Sequence, residues 1–218
     1  DILRLEPAWL EAYGELTRHA WERSGLDPME RELVHLAIDA STTHLYNLGT
    51  RAHVGKALDE GATVAELTEV LLITSDVGFN GAREGFAVLA EALDDGEAPD
   101  PGNDEQAEEF RDTVESWDDE LAAILATDAA FFERYLDISS IPWTEGVLDP
   151  ELKELIYVAV NTAGTTVYTP GIRTHVRSAL DHGASPEAVA GVIEIASILG
   201  SHTMIESADI VREEPNGS

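Results

Sequence analysis

The chain has 218 residues, a length that fits one large domain or two small ones. Its 43 acidic residues against 13 basic ones give a formal net charge of −30, which disfavours nucleic-acid binding because phosphate backbones carry the same sign. The sequence contains no cysteine, which excludes disulfides, thiolate nucleophiles and cysteine-ligated metal centres.

The first strongly patterned segments of the chain are two predicted helices. Asp27 offers a capping side chain and Pro28 a first-turn residue, ahead of apolar residues at helical spacing. A second helix is predicted over roughly residues 47–60. It ends at Gly61, because glycine is the usual residue just beyond a helix C-terminus.

A third predicted helix begins at Thr63, which forms a capping box with Glu66. We expect Gly78 and Gly81 to break this helix before a fourth apolar stretch, residues 86–93. None of these segments shows the two-residue alternation of a β-strand. The sequence therefore predicts an all-α protein.

A segment rich in proline, glycine and acid, residues 94–104, reads as a linker. A single helix from about Glu105 to Ala126 is predicted to follow it. One stripe of this helix is apolar and is expected to form core or a seam, and its residues are Phe110, Val114, Trp117, Leu121 and Leu125. We expect the acidic tail after Arg212 to be solvated and mobile.

The second half of the chain repeats the first. At an offset of 122 residues, positions 7–86 align with 129–208 without a gap, and about 26 of the 80 positions are identical. The sequence thus predicts duplicated helical units fused into a pseudo-dimer. The predicted division is a first unit at 1–94, an acidic linker and bridging helix at 95–127, and a second unit at 128–218.

Four polar residue types are retained in both units, at Glu32/Glu154, Tyr46/Tyr168, Arg51/Arg173 and His53/His175. Tyr46, Gly49 and His53 share one helix face, and Gly49 is expected to leave room there for a ligand. Arg51 lies about 200° around the helix from His53, so it is a weaker candidate for the same pocket.

The glutamate–histidine pairs are the best candidates for chemistry. Histidine transfers protons near neutral pH, and a carboxylate partner fixes its tautomer and raises its pKa. We predict His53 and His175 as proton donors that Glu32 and Glu154 orient. The alternatives are a helix-start carboxylate and a buried core histidine without function. Metal binding by the pairs is a further alternative, although two ligands per unit are too few for a closed site.

The unpaired histidines carry less weight. Four of them have no histidine at the matching position and are expected to lie on the surface or in packing: His19, His35, His44 and His182. His202 lies opposite Asn80 of the other unit, and both are candidates to line a pocket. Together with the exchange of His35 for Tyr157, this difference raises the hypothesis that one of the two pockets is inactive.

The charge composition indicates the salt concentration in which the protein works, not the reaction that it performs. Acid excess with only two lysines, Lys56 and Lys153, resembles the cytoplasmic proteins of salt-accumulating halophilic archaea, and an acidic mesophile protein is the alternative. Molar salt shortens the screening length to about 3 Å and relieves the self-repulsion. The sequence lacks a run of about 18 apolar residues, so we expect no membrane-spanning helix.

Two sets of motifs resemble a known family. They are Arg-Glu-Leu at 31–33, Arg-Ala-His-Val at 51–54 and Gly-Ala-Thr at 61–63, with the second copies at 153–155, 173–176 and 183–185. This pattern is similar to the carboxymuconolactone decarboxylase family, which includes the AhpD-like alkylhydroperoxidases. The resemblance implies an all-helical fold, a small-molecule pocket around the glutamate and histidine near subunit boundaries, and assembly into homo-oligomers. A trimer of tandem units is favoured.

The peroxidase branch of the family carries two cysteines ahead of the histidine, where this chain has Tyr46 and Gly49, and Tyr168 and Gly171. Thiol-dependent peroxide reduction is therefore excluded. The resemblance implies instead a lyase without a metal or other cofactor, acting on a small carboxylated lactone or related acid. In this reading the tyrosines line the pocket, and Arg51 and Arg173 bind the acid group. A non-catalytic binding or assembly protein, or a metal-dependent enzyme, remains the alternative.

Overall fold

The computed structural model describes residues 6–93, 105–114 and 117–213, and every regular element in these ranges is a helix. The first unit contains α1 (Pro7–Arg23), α2 (Pro28–Ala40), α3 (Asn47–Asp59), α4 (Val64–Asp76), a 3₁₀ turn (Val77–Phe79) and α5 (Asn80–Leu93). Between the units lie α6 (Glu105–Val114) and α7 (Asp119–Thr127). The second unit contains α8 (Ala129–Ser139), α9 (Ile141–Thr144), α10 (Pro150–Thr162), α11 (Thr169–Asp181), α12 (Pro186–Ser197), a 3₁₀ turn (Ile198–Gly200) and α13 (Ser201–Glu213). The all-α prediction is confirmed.

Side-chain caps mark the predicted starts of α2 and α4. The Asp27 side chain accepts a hydrogen bond from the backbone N–H of Glu30, at the start of α2. Thr63 and Glu66 form the predicted capping box of α4. Because these caps satisfy backbone N–H groups that have no partner inside the helix, they are readable from the sequence.

Two predicted elements were wrong in their bounds. The fourth helix begins at Asn80 rather than at Phe86, and Gly81 lies within its first turn, where a glycine costs little because few helical bonds depend on it. The predicted helix from Glu105 to Ala126 is two helices. Asp118 has an extended backbone, with φ −145° and ψ 174°, and its side chain caps α7. The predicted linker at 94–104, the tail from 214 onward and the side chain of Phe110 lie outside the described residues.

The core is shared by both units. α2 packs against α10, and the buried side chains of both helices join those of α4 and α12 in one cluster. Leu33, Val34, Ile73, Ile156 and Ile195 are among its fully buried members. Each such side chain contributes roughly 1.5–3 kcal/mol on burial, so separating the units would expose most of this stabilising surface. The fused pseudo-dimer is therefore one structural body.

A second apolar cluster covers α5 and ties it to the second unit. Val114, Leu121 and Leu125 of the predicted stripe pack there with Phe132 and with a partly buried Trp117, among other residues. The stripe thus forms a seam, as predicted.

One stretch, Pro186–Val211, is long and apolar enough to cross a membrane by length and composition alone. The expectation that the sequence contains no such segment was therefore wrong by this criterion of length and composition. In the structure a 3₁₀ turn divides this stretch into α12 and α13, and buried residues of α12 belong to the shared core.

Candidate active site

The candidate site of the first unit begins on one face of α2. Glu32, His35 and Asp39 are spaced i, i+3 and i+7, so they lie along one face of this helix. His53 and Lys56 lie one turn apart on α3, which packs against α2. Helical geometry thus brings five polar side chains to the interface of two helices.

Glu32 and His53 are hydrogen-bonded to each other. The Nδ1 atom of His53 lies 2.6 Å from Oε2 of Glu32, and Nζ of Lys56 lies 3.8 Å from the other carboxylate oxygen. Burial raises the pKa of Glu32, but the His53 hydrogen bond and the nearby positive charges outweigh it and hold that pKa below its ordinary value. The ionised carboxylate therefore fixes the histidine with Nδ1–H toward it, which leaves Nε2 available.

His35 forms a wall beside this pair. Its ring stacks on that of His53 with centroids 4.6 Å apart, and its Nδ1–H donates to the carbonyl oxygen of Arg31 at 2.8 Å. Burial, followed by the positive charge of His53, lowers the pKa of His35 to about 4. His35 is therefore neutral at pH 7.

A cavity of about 220 Å³ opens beside His53, and both units line it. Its polar and aromatic wall includes Trp21, His35, Asp39, His53 and Lys56 of the first unit and His202 of the second. Ile195 and Leu199, also from the second unit, add an apolar side. We call these surroundings of the Glu32–His53 pair the first-unit site.

A second polar group adjoins the cavity, formed by Asp39, His44 and His202. Nε2 of His44 and Nδ1 of His202 lie 2.8 Å apart, and Oδ1 of Asp39 lies 3.9 Å and 3.7 Å from these two nitrogens. Oδ2 of Asp39 lies 3.6 Å from Nε2 of His53. Burial raises the pKa of Asp39 to about 6, against the effect of the His53 charge.

The turn between α2 and α3 carries His44 to this group. Leu45, the next residue, has a left-handed backbone with φ 47°, and its counterpart Val167 has φ 41°. Such a conformation is unusual for residues with a side chain and costs roughly 1–2 kcal/mol. The same strained turn occurs in both units, so the fold of the pseudo-dimer enforces it.

The predicted role of Gly49 was wrong. A Cβ atom at this position would lie 1.9 Å from Oδ2 of Asp39 and 2.6 Å from the ring of Tyr46. The glycine therefore makes room for the Asp39 carboxylate rather than for a ligand.

The second unit repeats the hydrogen-bonded pair but not its surroundings. Nδ1 of His175 lies 2.7 Å from Oε2 of Glu154, and the His175 ring stacks on Tyr157 with centroids 4.3 Å apart. Both members of the pair are buried, whereas His53 is partly exposed. We call the surroundings of this pair the second-unit site.

Side chains from α5 of the first unit pack into the second-unit site. Asn80 donates to Oδ1 of Asn161 at 2.9 Å. Arg83 is buried and forms ion pairs with Asp118 and Glu120, and the Tyr168 hydroxyl also donates to Glu120. Polar side chains of the chain itself thus pair with one another around the second-unit site.

The other predicted site residues lie in different surroundings. Tyr46 packs its ring 4.1 Å from that of His202, whereas Tyr168 belongs to the Arg83 network of the second-unit site. Arg51 and Arg173 are exposed on the outer faces of α3 and α11, as the helical angle to the histidines predicts.

Sequence reasoning missed four residues of the first-unit site. From the sequence we predict no site role for Asp39 or Lys56, and we expect His35 and His44 to lie on the surface or in packing. His35 and Asp39 could have been predicted, because they follow Glu32 by three and seven residues and such positions share one helix face. His44 had no such signal, because a turn places it.

The profile of the carboxymuconolactone decarboxylase family matches the chain twice, at residues 7–91 and 129–211. A crystal structure of a "putative gamma-carboxymuconolactone decarboxylase subunit" from Burkholderia xenovorans is 34% identical in sequence and superposes with a TM-score of 0.90. The alignment covers 97% of this chain and 87% of that one. A comparison with curated proteins gave no match. With two family matches that follow the two units, the chain belongs to the carboxymuconolactone decarboxylase family.

Proposed function

We propose that the protein is a decarboxylase-like lyase that acts on a small carboxylated lactone or a related acid at the first-unit site. The observation that carries this proposal is the Glu32–His53 pair beside an open cavity, because the bond at Nδ1 leaves Nε2 for a substrate. Family membership and the printed name of the Burkholderia protein give it further support.

The proposed reaction needs one proton and no redox partner. The bond between the substrate carbon and its carboxylate breaks, CO₂ leaves, and the electron pair stays on carbon, delocalised into the lactone carbonyl. Nε2–H of His53 then donates a proton to that carbon and forms the new C–H bond. Glu32 stabilises the protonated imidazole before this transfer, and solvent returns the proton afterwards.

Lys56 is the residue that we assign to substrate attraction. It lies on the cavity wall within a chain of net charge −30, which as a whole repels a carboxylate substrate. At molar salt the screening length of about 3 Å removes most of that repulsion, and Lys56, whose side chain is 57% exposed, attracts the carboxylate only at contact distance. His35 is neutral and adds stacking surface without charge.

The proposal gives the second-unit pair a structural role. His175 is buried against Tyr157, and Arg83 with its carboxylate partners lies in the surrounding space. We therefore expect one working pocket per chain.

The test is ultraviolet-monitored decarboxylation of γ-carboxymuconolactone in about 2–3 M KCl, where the acidic surface is screened. His53→Gln should lower kcat at least about 100-fold, since general acid catalysis contributes about 10²–10⁴. His175→Gln, the matched control, should keep kcat within a few-fold. Circular dichroism checks that both variants are folded.

The outcomes separate the alternatives. Equal losses in the two variants would contradict the single working pocket. Folded wild-type protein that binds the lactone without converting it would overturn the lyase and favour a binding protein on the same scaffold.

We also propose a homo-oligomer, with a trimer of tandem units favoured. Large apolar side chains that are exposed in the single chain support this proposal, among them Leu48, Val64, Val88 and Leu93. Light scattering coupled to size-exclusion chromatography in molar KCl measures the mass. A mass of one chain would contradict the proposal.

The acidic surface supports a further proposal, that the protein works in a salt-rich cytoplasm. Self-repulsion of 43 acidic residues destabilises the compact state when salt is low. The free energy of unfolding should therefore rise with KCl concentration up to the molar range. A free energy of unfolding that does not change with salt would favour the mesophile alternative.

A further inference from the structure

We propose that Asp39, His44 and His202 bind one divalent transition-metal ion such as Zn²⁺. The three residues come from α2, from the turn before α3 and from α13, so both units contribute ligands. The site adjoins the proposed proton donor but needs neither that role nor the proposed reaction to exist.

The geometry of the three ligand atoms suits an ion of this kind. Nε2 of His44, Nδ1 of His202 and Oδ1 of Asp39 are separated by 2.8, 3.7 and 3.9 Å. A point about 2 Å from all three atoms exists at these separations, and about 2 Å is the bond length of zinc to nitrogen and oxygen ligands. That point lies in the plane of the three atoms, and the two histidine rings, which face each other through these nitrogens, have to turn apart to coordinate a shared ion.

The chemistry of the donors also fits. Two imidazoles with one carboxylate form a ligand set that Zn²⁺, Fe²⁺ and related ions bind, with coordination positions left open. The two histidine nitrogens now face each other across a single proton. An ion would replace this proton, so metal binding should release it to solvent.

The Asp39 carboxylate is a second, independent observation. Only 3% of this residue is exposed, and Oδ2 has no hydrogen-bond partner among the described residues. A buried carboxylate is expensive unless a cation or donors compensate it. An ion bound at Oδ1 would offset the charge of this carboxylate, which His53 faces only at 3.6 Å from Oδ2.

The second unit shows what happens when the ligands are absent. The positions of Asp39, His44 and His202 are occupied there by Asn161, Thr166 and Asn80, so all three ligands are replaced as a set. Asn80 and Asn161 then close the gap by a direct hydrogen bond of 2.9 Å. The second unit therefore lacks both imidazoles and the carboxylate of this group, and an amide–amide hydrogen bond takes their place.

The position of the ion connects two cavities. His202 lines both the cavity of about 220 Å³ beside His53 and a larger one of about 670 Å³ that His44 and Glu206 also line. An ion here has a route to solvent. Its open positions can take water or a carboxylate oxygen of a molecule bound in either cavity.

The experiment titrates Co²⁺ into the chelator-treated 218-residue chain in about 2–3 M KCl, which suppresses loose binding to surface carboxylates. Visible absorption of Co²⁺ reports nitrogen coordination, and equilibrium dialysis with Zn²⁺ gives the stoichiometry. We expect one ion per chain, with proton release on binding. The variant D39N/H44T/H202N installs the residues of the second unit and should bind at least 100-fold more weakly.

Two further variants keep the result interpretable. H202N alone removes one ligand and should weaken binding at least tenfold even if the triple variant does not fold. H19N changes an exposed histidine and should bind like the wild type. Absence of a Co²⁺ spectrum in folded wild type, or equal binding by wild type and H202N, would overturn the proposal. The titration contains no substrate, so failure of the lyase assay leaves its outcome unaffected.

Discussion

The two glutamate–histidine pairs are nearly identical, and their surroundings are not. Both pairs join equivalent helices, with Nδ1–carboxylate distances of 2.6 Å and 2.7 Å, and both histidines stack on a ring from the preceding helix. Around His53 a cavity opens, whereas around His175 the chain fills the space with its own side chains. The hydrogen-bonded pair is thus common to both units of the fold, and the side chains around it determine whether a ligand can reach its histidine.

Those neighbours come from the other unit in each case. His202 of α13 reaches the first-unit site, while Asn80 and Arg83 of α5 reach the second-unit site. Substitutions in one unit therefore change the site of the other. This arrangement allows one site to close while the other stays open, although both keep the same pair.

Among the substitutions that test this difference between the sites, Arg83→Met should have the largest effect on the free energy of unfolding. Removing the guanidinium leaves the carboxylates of Asp118 and Glu120 without their cation in a partly buried setting. We expect a loss of about 3 kcal/mol in the free energy of unfolding, measured by denaturant titration in molar KCl. Arg134→Met, at an exposed arginine, is the control and should cost less than about 1 kcal/mol. Equal losses for the two variants would show that the Arg83 network stabilises the protein no more than an exposed ion pair does.

A smaller and pH-dependent effect is expected at Asp76, which carries its charge close to Arg83 and His175. Burial raises the pKa of Asp76 to about 6, against the effect of both cations. The folded state thus binds this proton more tightly than the unfolded state, and the stability that it contributes is lost as pH rises through about 6.

Asp76→Asn should therefore stabilise the protein by about 2 kcal/mol at pH 8 and leave stability unchanged near pH 4. Paired denaturant titrations of variant and wild type at the two pH values measure this difference. A variant that is less stable than wild type at pH 8 would show that the Asp76 charge is favourable to the fold.

The glycine pair offers a matched test of packing. A Cβ atom at either position meets a tyrosine ring at 2.6 Å, but at position 49 it also meets the Asp39 carboxylate at 1.9 Å, whereas at position 171 it meets the Asn161 side chain at 2.9 Å. Overpacking opposes the roughly 1 kcal/mol that alanine gains over glycine in a helix. We expect Gly49→Ala to cost about 1–2 kcal/mol and Gly171→Ala about 1 kcal/mol less. The reverse order in thermal unfolding would contradict the role given to Gly49.

The smallest expected effect is that of Lys56→Ser, which installs the residue found at position 178. The side chain is 57% exposed, so its contact with a substrate carboxylate is worth little more than a surface ion pair. KM should rise about threefold to fivefold with kcat nearly unchanged. A fall in kcat with constant KM would instead place Lys56 in the chemical step.

The sequence predicted the helices well because their signals are local. Asp27 and Thr63 cap helices through bonds that span three residues, and the structure has both caps. The bridging segment was mispredicted for a related reason. A continuous apolar stripe concealed this division, in which α6 ends at Val114 and the extended backbone at Asp118 precedes α7.

The candidate site was predictable only in part. Comparison of the two copies pointed to Glu32, His53 and His202. The positions of His35 and Asp39 on the same helix face as Glu32 could have identified these two residues as well. His44 and the Arg83 network had no sequence signal, because hydrogen bonds to residues more than 30 positions away, His202 and Asp118, hold them in place.

The helical class, the duplication, the family resemblance and the two glutamate–histidine pairs are all readable in the amino-acid sequence. These follow from short-range periodicity, caps and self-similarity, which need no knowledge of the packed chain. Only the tertiary structure decided which pair faces a cavity and which is buried. That difference depends on how α5 and α13 cross between the units and on the side chains that they carry there.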